Sequence, residues 1–97
     1  MKFMLTWRLH PDKRHDGLKG FSQMDKAADK ADMGDTIKLI GRWHDIAKAS
    51  GVAIFEANDA SAMANWALNW NSIMDITELS PVLDDEEARA LGRKRFG

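Results

Sequence analysis

An α+β fold with the element order β-α-β-β-α-β and a helical tail is predicted for this chain by three features of its sequence. Residues 3–9 alternate apolar and polar side chains over a full strand length. Residues 36–57 hold two β-branched apolar runs around a short polar loop ending in Ser50-Gly51, the pattern of a β-hairpin. Between and after these strands stand two segments whose apolar residues recur at intervals of three and four.

In the first strand Phe3, Leu5, Trp7 and Leu9 face one way and Met4, Thr6, Arg8 and His10 the other. Pro11-Asp12 stops it, because proline brings no N–H to a ladder. From Asp12 to about Ala31, Leu18, Phe21, Met24 and Ala28 form one stripe, which predicts a single amphipathic helix running toward Gly34. In the hairpin, Ile37, Leu39, Gly41 and Trp43 oppose Lys38, Ile40, Arg42 and His44, and Val52, Ile54 and Glu56 oppose Ala53, Phe55 and Ala57. Asn58-Asp59 supplies an N-cap to a second helix with Met63, Trp66 and Trp70 on one side. Residues 73–79 give a fourth strand closed by Ser80-Pro81. Four acids from Asp84 and the cations Arg93, Lys94 and Arg95 complement a helix dipole, which predicts a short helical tail over residues 84–97.

This order is the ferredoxin-like arrangement, an antiparallel sheet in the order 4-1-3-2 with both helices on one face. The other face carries Met4, Thr6, Arg8, Ile40, Arg42 and His44, too apolar for a solvated face and too charged for a helix-covered one. A second sheet is the expected cover, through a homodimer burying on the order of 1,200–2,000 Å², with Met4, Arg8 and Ile40 at its interface.

Size and charge narrow the function classes. Ninety-seven residues make one domain, 1–97. Fourteen basic residues against fifteen acidic ones argue against a general polyanion binder, so no nucleic-acid partner is expected. Without cysteine there is no disulfide and no thiolate metal site. The opening apolar run is too short for a signal-peptide core or a membrane span, which predicts a cytoplasmic protein with no membrane partner.

Chemically capable residues gather on the hairpin. His44, at a strand end, suits acid–base or ligand work through an imidazole whose unperturbed pKa is about 6.5; the alternative is a strand-end residue partly solvated or hydrogen-bonded to a neighbour. Glu56 is an acid in an apolar strand, either an ion-pair partner of Arg8 or Arg42 or a general base beside an arginine clamp for a ligand carboxylate. Trp43, Trp66 and Trp70 serve as core or line a pocket for a flat apolar ligand. His10 reads as structural and His15 as exposed. The three histidines show no metal-ligand spacing, so neither metal nor cofactor is implied.

The opening MKFMLTWRL, the stretch LIGRWHD, the strand GVAIFEANDA, the helix stretch NWALNW and the ending SPVLDDEEA resemble a family of short bacterial proteins known only as a domain of unknown function, within the dimeric α/β-barrel superfamily of ferredoxin-like folds. The likeness covers nearly the whole chain. It implies two protomers packed sheet against sheet into a barrel, often with the C-terminal segment reaching toward the partner. That superfamily spans cofactor-independent monooxygenases of aromatic polyketides, haem-binding and haem-degrading proteins, dye-decolourising peroxidases, muconolactone isomerases and stress proteins, so the resemblance implies no single reaction. No catalytic motif of those enzymes maps residue by residue onto this chain. The expected function is binding of a small organic molecule, with cofactor-independent transformation as its extension, in a sheet–helix cavity lined by Arg42, Trp43, His44, Glu56 and Trp70. Catalytic candidates within that set are His44 and Glu56. The alternative is a non-enzymatic interaction or stress-response subunit whose polar residues serve the dimer interface.

Overall fold

The alternating first segment forms β1 (Lys2–Leu9), in which Phe3, Leu5 and Trp7 are buried while Met4 and Thr6 stay half-exposed. The computed structural model describes residues 1–97. Its other strands are β2 (Ile37–Asp45), β3 (Ser50–Ala57) and β4 (Met74–Val82). They join β1 in one antiparallel sheet of order β2-β3-β1-β4, which read from the β4 edge is 4-1-3-2. The helices are α1 (Arg14–Ser22), α2 (Lys26–Met33), α3 (Ala60–Ala67) and α4 (Asp85–Phe96). The connectivity is βαββαβ with the first helical segment broken in two.

That break corrects the single helix expected between Asp12 and Ala31. Asp25 turns its carboxylate back to accept from the Ala28 N–H at 2.8 Å, capping a new helix. Such a local side-chain bond competes with helix continuation. The preceding turn closes instead through Gln23 N–H to the Gly20 carbonyl and Met24 N–H to the Phe21 carbonyl. Two short helices result, and α1 buries no residue of its own.

The core lies between the sheet and α2–α3. Phe3, Leu5, Trp7, Ile37, Ala53, Phe55 and Ala57 meet Met33, Met63 and Trp66 there. Phe55 and Trp66 rings stand 4.9 Å apart, and each large side chain contributes about 1.5–3 kcal/mol by burial. Gly51 is required here, because a Cβ on it collides with the Trp7 indole that crosses β3.

A bulge at Ile40 reassigns the second half of β2. Leu39 pairs with Phe55 and Gly41 with Ile54, leaving Ile40 without a partner. One inserted residue turns every later side chain to the opposite face. Arg42 and His44 therefore come to lie opposite Ala53 and Gly51 on the helix side, and Trp43 opposite Val52 on the open side. Strict alternation predicts the reverse. Trp43 is 61% exposed, its ring lying over Gly41.

The open face carries Met4, Ile40, Trp43, Val52 and Ile54 among Lys2, Arg8 and Glu56. Beside it α4 starts from a complete capping box, Asp84 accepting from the Glu87 N–H and Glu87 from the Asp84 N–H. It buries no residue, and Leu91 and Phe96 are exposed. Lys2 Nζ ties its first turn to the sheet, 3.3 Å from both Asp84 and Glu87. With this projecting helix the molecule measures 51 × 29 × 21 Å. Its radius of gyration is 15.2 Å, against about 12.5 Å for a compact chain of this length.

Candidate functional site

A cavity of about 350 Å³ opens on the helix side of the sheet, at its hairpin end. Its floor is Leu5, Trp7 and Leu9 of β1, and Arg42 and His44 of β2. Leu18, Phe21 and Met24 of the first helical segment cover it, and Trp66, Trp70 and Met74 close the inner end. Apolar walls with a few convergent polar groups are the usual form of a small-molecule site.

Arg42 is the main polar group of the floor. Its Nη2 donates to Asp29 Oδ2 at 3.0 Å, with both side chains largely buried. Its guanidinium carbon sits 4.6 Å from the Phe21 ring centroid, a cation–π contact in a partly desolvated setting. Asp29 Oδ1 is buried and receives no hydrogen bond from the chain. Leaving such an oxygen without a donor costs on the order of 1–3 kcal/mol.

His44 stands at the cavity mouth between two aromatic rings. Trp7 meets it edge-on at 5.4 Å and Phe21 tilts against it at 4.7 Å. Partial burial, and secondarily the Arg42 charge, lower its pKa below the ordinary 6.5. Its imidazole is uncharged at neutral pH.

Asp32 organises the inner end. Its carboxylate accepts from the Trp66 indole N–H at 2.8 Å and from the Trp70 indole N–H at 2.9 Å. Asn69 donates to it as well, at 3.2 Å. Trp70 lies in the turn after α3, and this carboxylate fixes its ring against the cavity.

Of the five residues expected to line a site, the structure brings Arg42, His44 and Trp70 together and sets Trp43 and Glu56 apart. Trp43 lies on the open face. Glu56 pairs in register with Lys2 and accepts from the N-terminal ammonium of Met1 at 2.7 Å. The Arg8 or Arg42 pairing considered for Glu56 is thereby corrected: Arg42 takes Asp29, and the cations at Glu56 are Lys2 and the N-terminus. The hydrogen bond from that ammonium is the main reason the Glu56 pKa falls below its ordinary value. His10 binds Asp75 at 3.2 Å, and His15 is exposed at the rim of the cavity. Met4, Arg8 and Ile40 all lie on the open face.

Asp29 and Asp32 are absent from the residues singled out in the sequence. The signal for them is spacing. Asp25, Asp29 and Asp32 recur at four and three in KAADKAD and its flank, so the last two share one helical side.

No group of three or more His, Asp or Glu side chains is arranged to hold a metal ion, and no helix is long and apolar enough to cross a membrane. Residues 1–96 match the family model described as Domain of unknown function (DUF3303). Neither the curated proteins nor the solved structures contain a significant match to the chain.

Proposed function

From the premise that the chain belongs to this domain-of-unknown-function family, we propose that it binds a small organic molecule in the sheet–helix cavity, as a cytoplasmic homodimer. The observation that carries the reading is the convergence of Arg42, His44 and Trp70 on one largely apolar cavity of about 350 Å³. Arg42 and Trp70 orient the ligand. The uncharged imidazole of His44 can take a proton from it, the one catalytic step these residues offer without a cofactor. The interaction-subunit alternative has less support, because it assigns the polar residues of β2 to the interface, whereas Arg42 and His44 line the cavity.

The open sheet face is assigned to a second copy of the chain. Met4, Ile40 and Trp43 give it an apolar centre, and Lys2 and Arg8 with Glu56 and Asp75 give it both signs of charge. A mixed-charge surface of that kind is able to complement itself across a two-fold axis. The projecting α4 lies beside it.

The test is a thermal-shift screen of uncharged and anionic ring compounds against wild type and His44→Ala. A ligand at one hundred times its Kd stabilises the folded state by about 2.7 kcal/mol. Wild type is expected to respond to a subset of compounds. His44→Ala is expected to remain folded, with a melting temperature lowered by the lost ring contacts to Trp7 and Phe21, and to show no further shift with those compounds. Equal responses in the two proteins would refute the assignment.

A further inference from the structure

Arg42 has binding capacity left over. A guanidinium carries five N–H donors, and a single hydrogen bond, Nη2 to Asp29 Oδ2, uses one of them within the chain. Neither Nε nor Nη1 is sealed from the surface without a partner; the one buried and unpartnered side-chain atom in the protein is Asp29 Oδ1. Arg42 lines the sheet–helix cavity, and the surface it retains is available there. The site thus offers donors that call for an acceptor.

The charge of the acceptor follows from the walls. Arg14 and Arg42 share the wall with three carboxylates, Asp29, Asp32 and Asp45, which leaves one formal negative charge in excess. Asp29 already compensates Arg42 at 3.0 Å. An incoming carboxylate therefore meets a neutralised guanidinium, a net negative wall and an apolar lining that penalises its desolvation. A carbonyl oxygen accepts the same N–H groups and imports no charge.

Resting on the reading that this cavity holds a small molecule, we propose that its ligand is an uncharged, largely apolar ring compound whose carbonyl oxygen accepts from the free N–H groups of Arg42. The flat Trp7, Phe21 and Trp70 side chains suit the ring, and the neutral His44 at the mouth adds no cation to draw an anion.

Three probes of one size separate the possibilities: alpha-tetralone, tetralin and tetralin carboxylate, by equilibrium dialysis against the full chain near pH 7.5. A hydrogen bond to a charged donor is worth on the order of tenfold in affinity. Alpha-tetralone is expected to bind roughly tenfold or more tighter than tetralin and than the carboxylate. A carboxylate that binds as tightly as the ketone, or tighter, overturns the inference and leaves the cavity reading in place. Tetralin equal to the ketone overturns it too, by removing Arg42 from recognition. If none of the three binds, the cavity reading fails and takes the inference with it. Asp29→Asn gives a second readout in a folded variant of nearly the same shape, with circular dichroism as its control. It brings the wall charge to zero and leaves Arg42 uncompensated, so the carboxylate is expected to gain at least fivefold relative to the ketone. An unchanged ratio contradicts the role given to Asp29.

Discussion

Arg42 and Asp29 join β2 to α2 across the helix side of the sheet, Nη2 to Oδ2 at 3.0 Å, and they meet because Ile40 bulges out of the β2–β3 register. Without that extra residue the guanidinium points to the open face. One bulge therefore brings Arg42 and His44 to the cavity and Trp43 to the open face.

Arg42→Met strands the Asp29 carboxylate in a largely buried position. Removing one partner of a fully buried pair costs 3–5 kcal/mol, and partial exposure reduces this to about 2 kcal/mol. The double variant Arg42→Met with Asp29→Leu is expected to recover most of the loss. Urea midpoints of the two variants check this; equal destabilisation in both contradicts the pairing.

His44 links stability to pH. Its folded pKa lies below the unfolded value of 6.5, so the unfolded chain binds the proton more readily. Stability contributed by the neutral ring is full above pH 6.5 and falls as pH drops from there through the lower folded pKa. Against His44→Gln, wild type is expected to lose stability over that window and not above it. Parallel pH profiles for the two proteins contradict the assignment, and an NMR titration of the ring reads the shift directly.

Asp32→Ala leaves the Trp66 and Trp70 indole N–H groups and the Asn69 amide without their shared acceptor. Charge-assisted bonds of this type carry about 1.5–3 kcal/mol each, and water replaces part of that at the exposed Asn69, so a loss of about 2–3 kcal/mol is expected. A red-shifted tryptophan emission should accompany it, as Trp70 swings from the cavity wall. Emission unchanged from wild type places the indole anchor elsewhere.

Lys2 holds the base of α4 through Asp84 and Glu87. The Asp84 pKa falls chiefly through the Glu87 backbone N–H, and the Lys2 pKa rises chiefly through Asp84. The depressed Asp84 makes its contribution above its unfolded pKa of 3.8 and loses it as pH falls through the lower folded value. The raised Lys2 makes its contribution below 10.5 and loses it as pH climbs through the higher folded value. Lys2→Gln is expected to speed amide exchange in the first turn of α4 and leave the β1–β3 ladder protected. Exchange that accelerates in both, or in neither, removes Lys2 as the tether.

Much of the fold is legible in the residues. The period-two alternation of β1, the Asp59 cap that accepts from Ala62 N–H at 2.9 Å, and the acids and bases at the two ends of α4 each carry a local physical signal. The site was less legible because its decisive events are not local. Nothing in LIGRWHD distinguishes a regular strand from one with Ile40 inserted; the bulge is fixed by the flanking pairs Leu39 with Phe55 and Gly41 with Ile54, on a strand distant in sequence. Phe21 and Trp70 carried apolar spacing, but Asp29 and Asp32 looked like the solvated side of a helix, and their partners Arg42 and Trp66 come from other elements. Glu56 misled for the same reason: an acid in an apolar strand signals a partner without saying which one.

Native mass spectrometry tests the cavity most directly, on protein freshly purified and on protein incubated with alpha-tetralone, each repeated after denaturation. The expected spectrum is a folded dimer with one added organic mass per protomer, released on denaturation in at least one of the two samples. Native masses that equal whole multiples of the denatured chain mass in both samples, with no added organic mass, contradict a ligand-binding cavity.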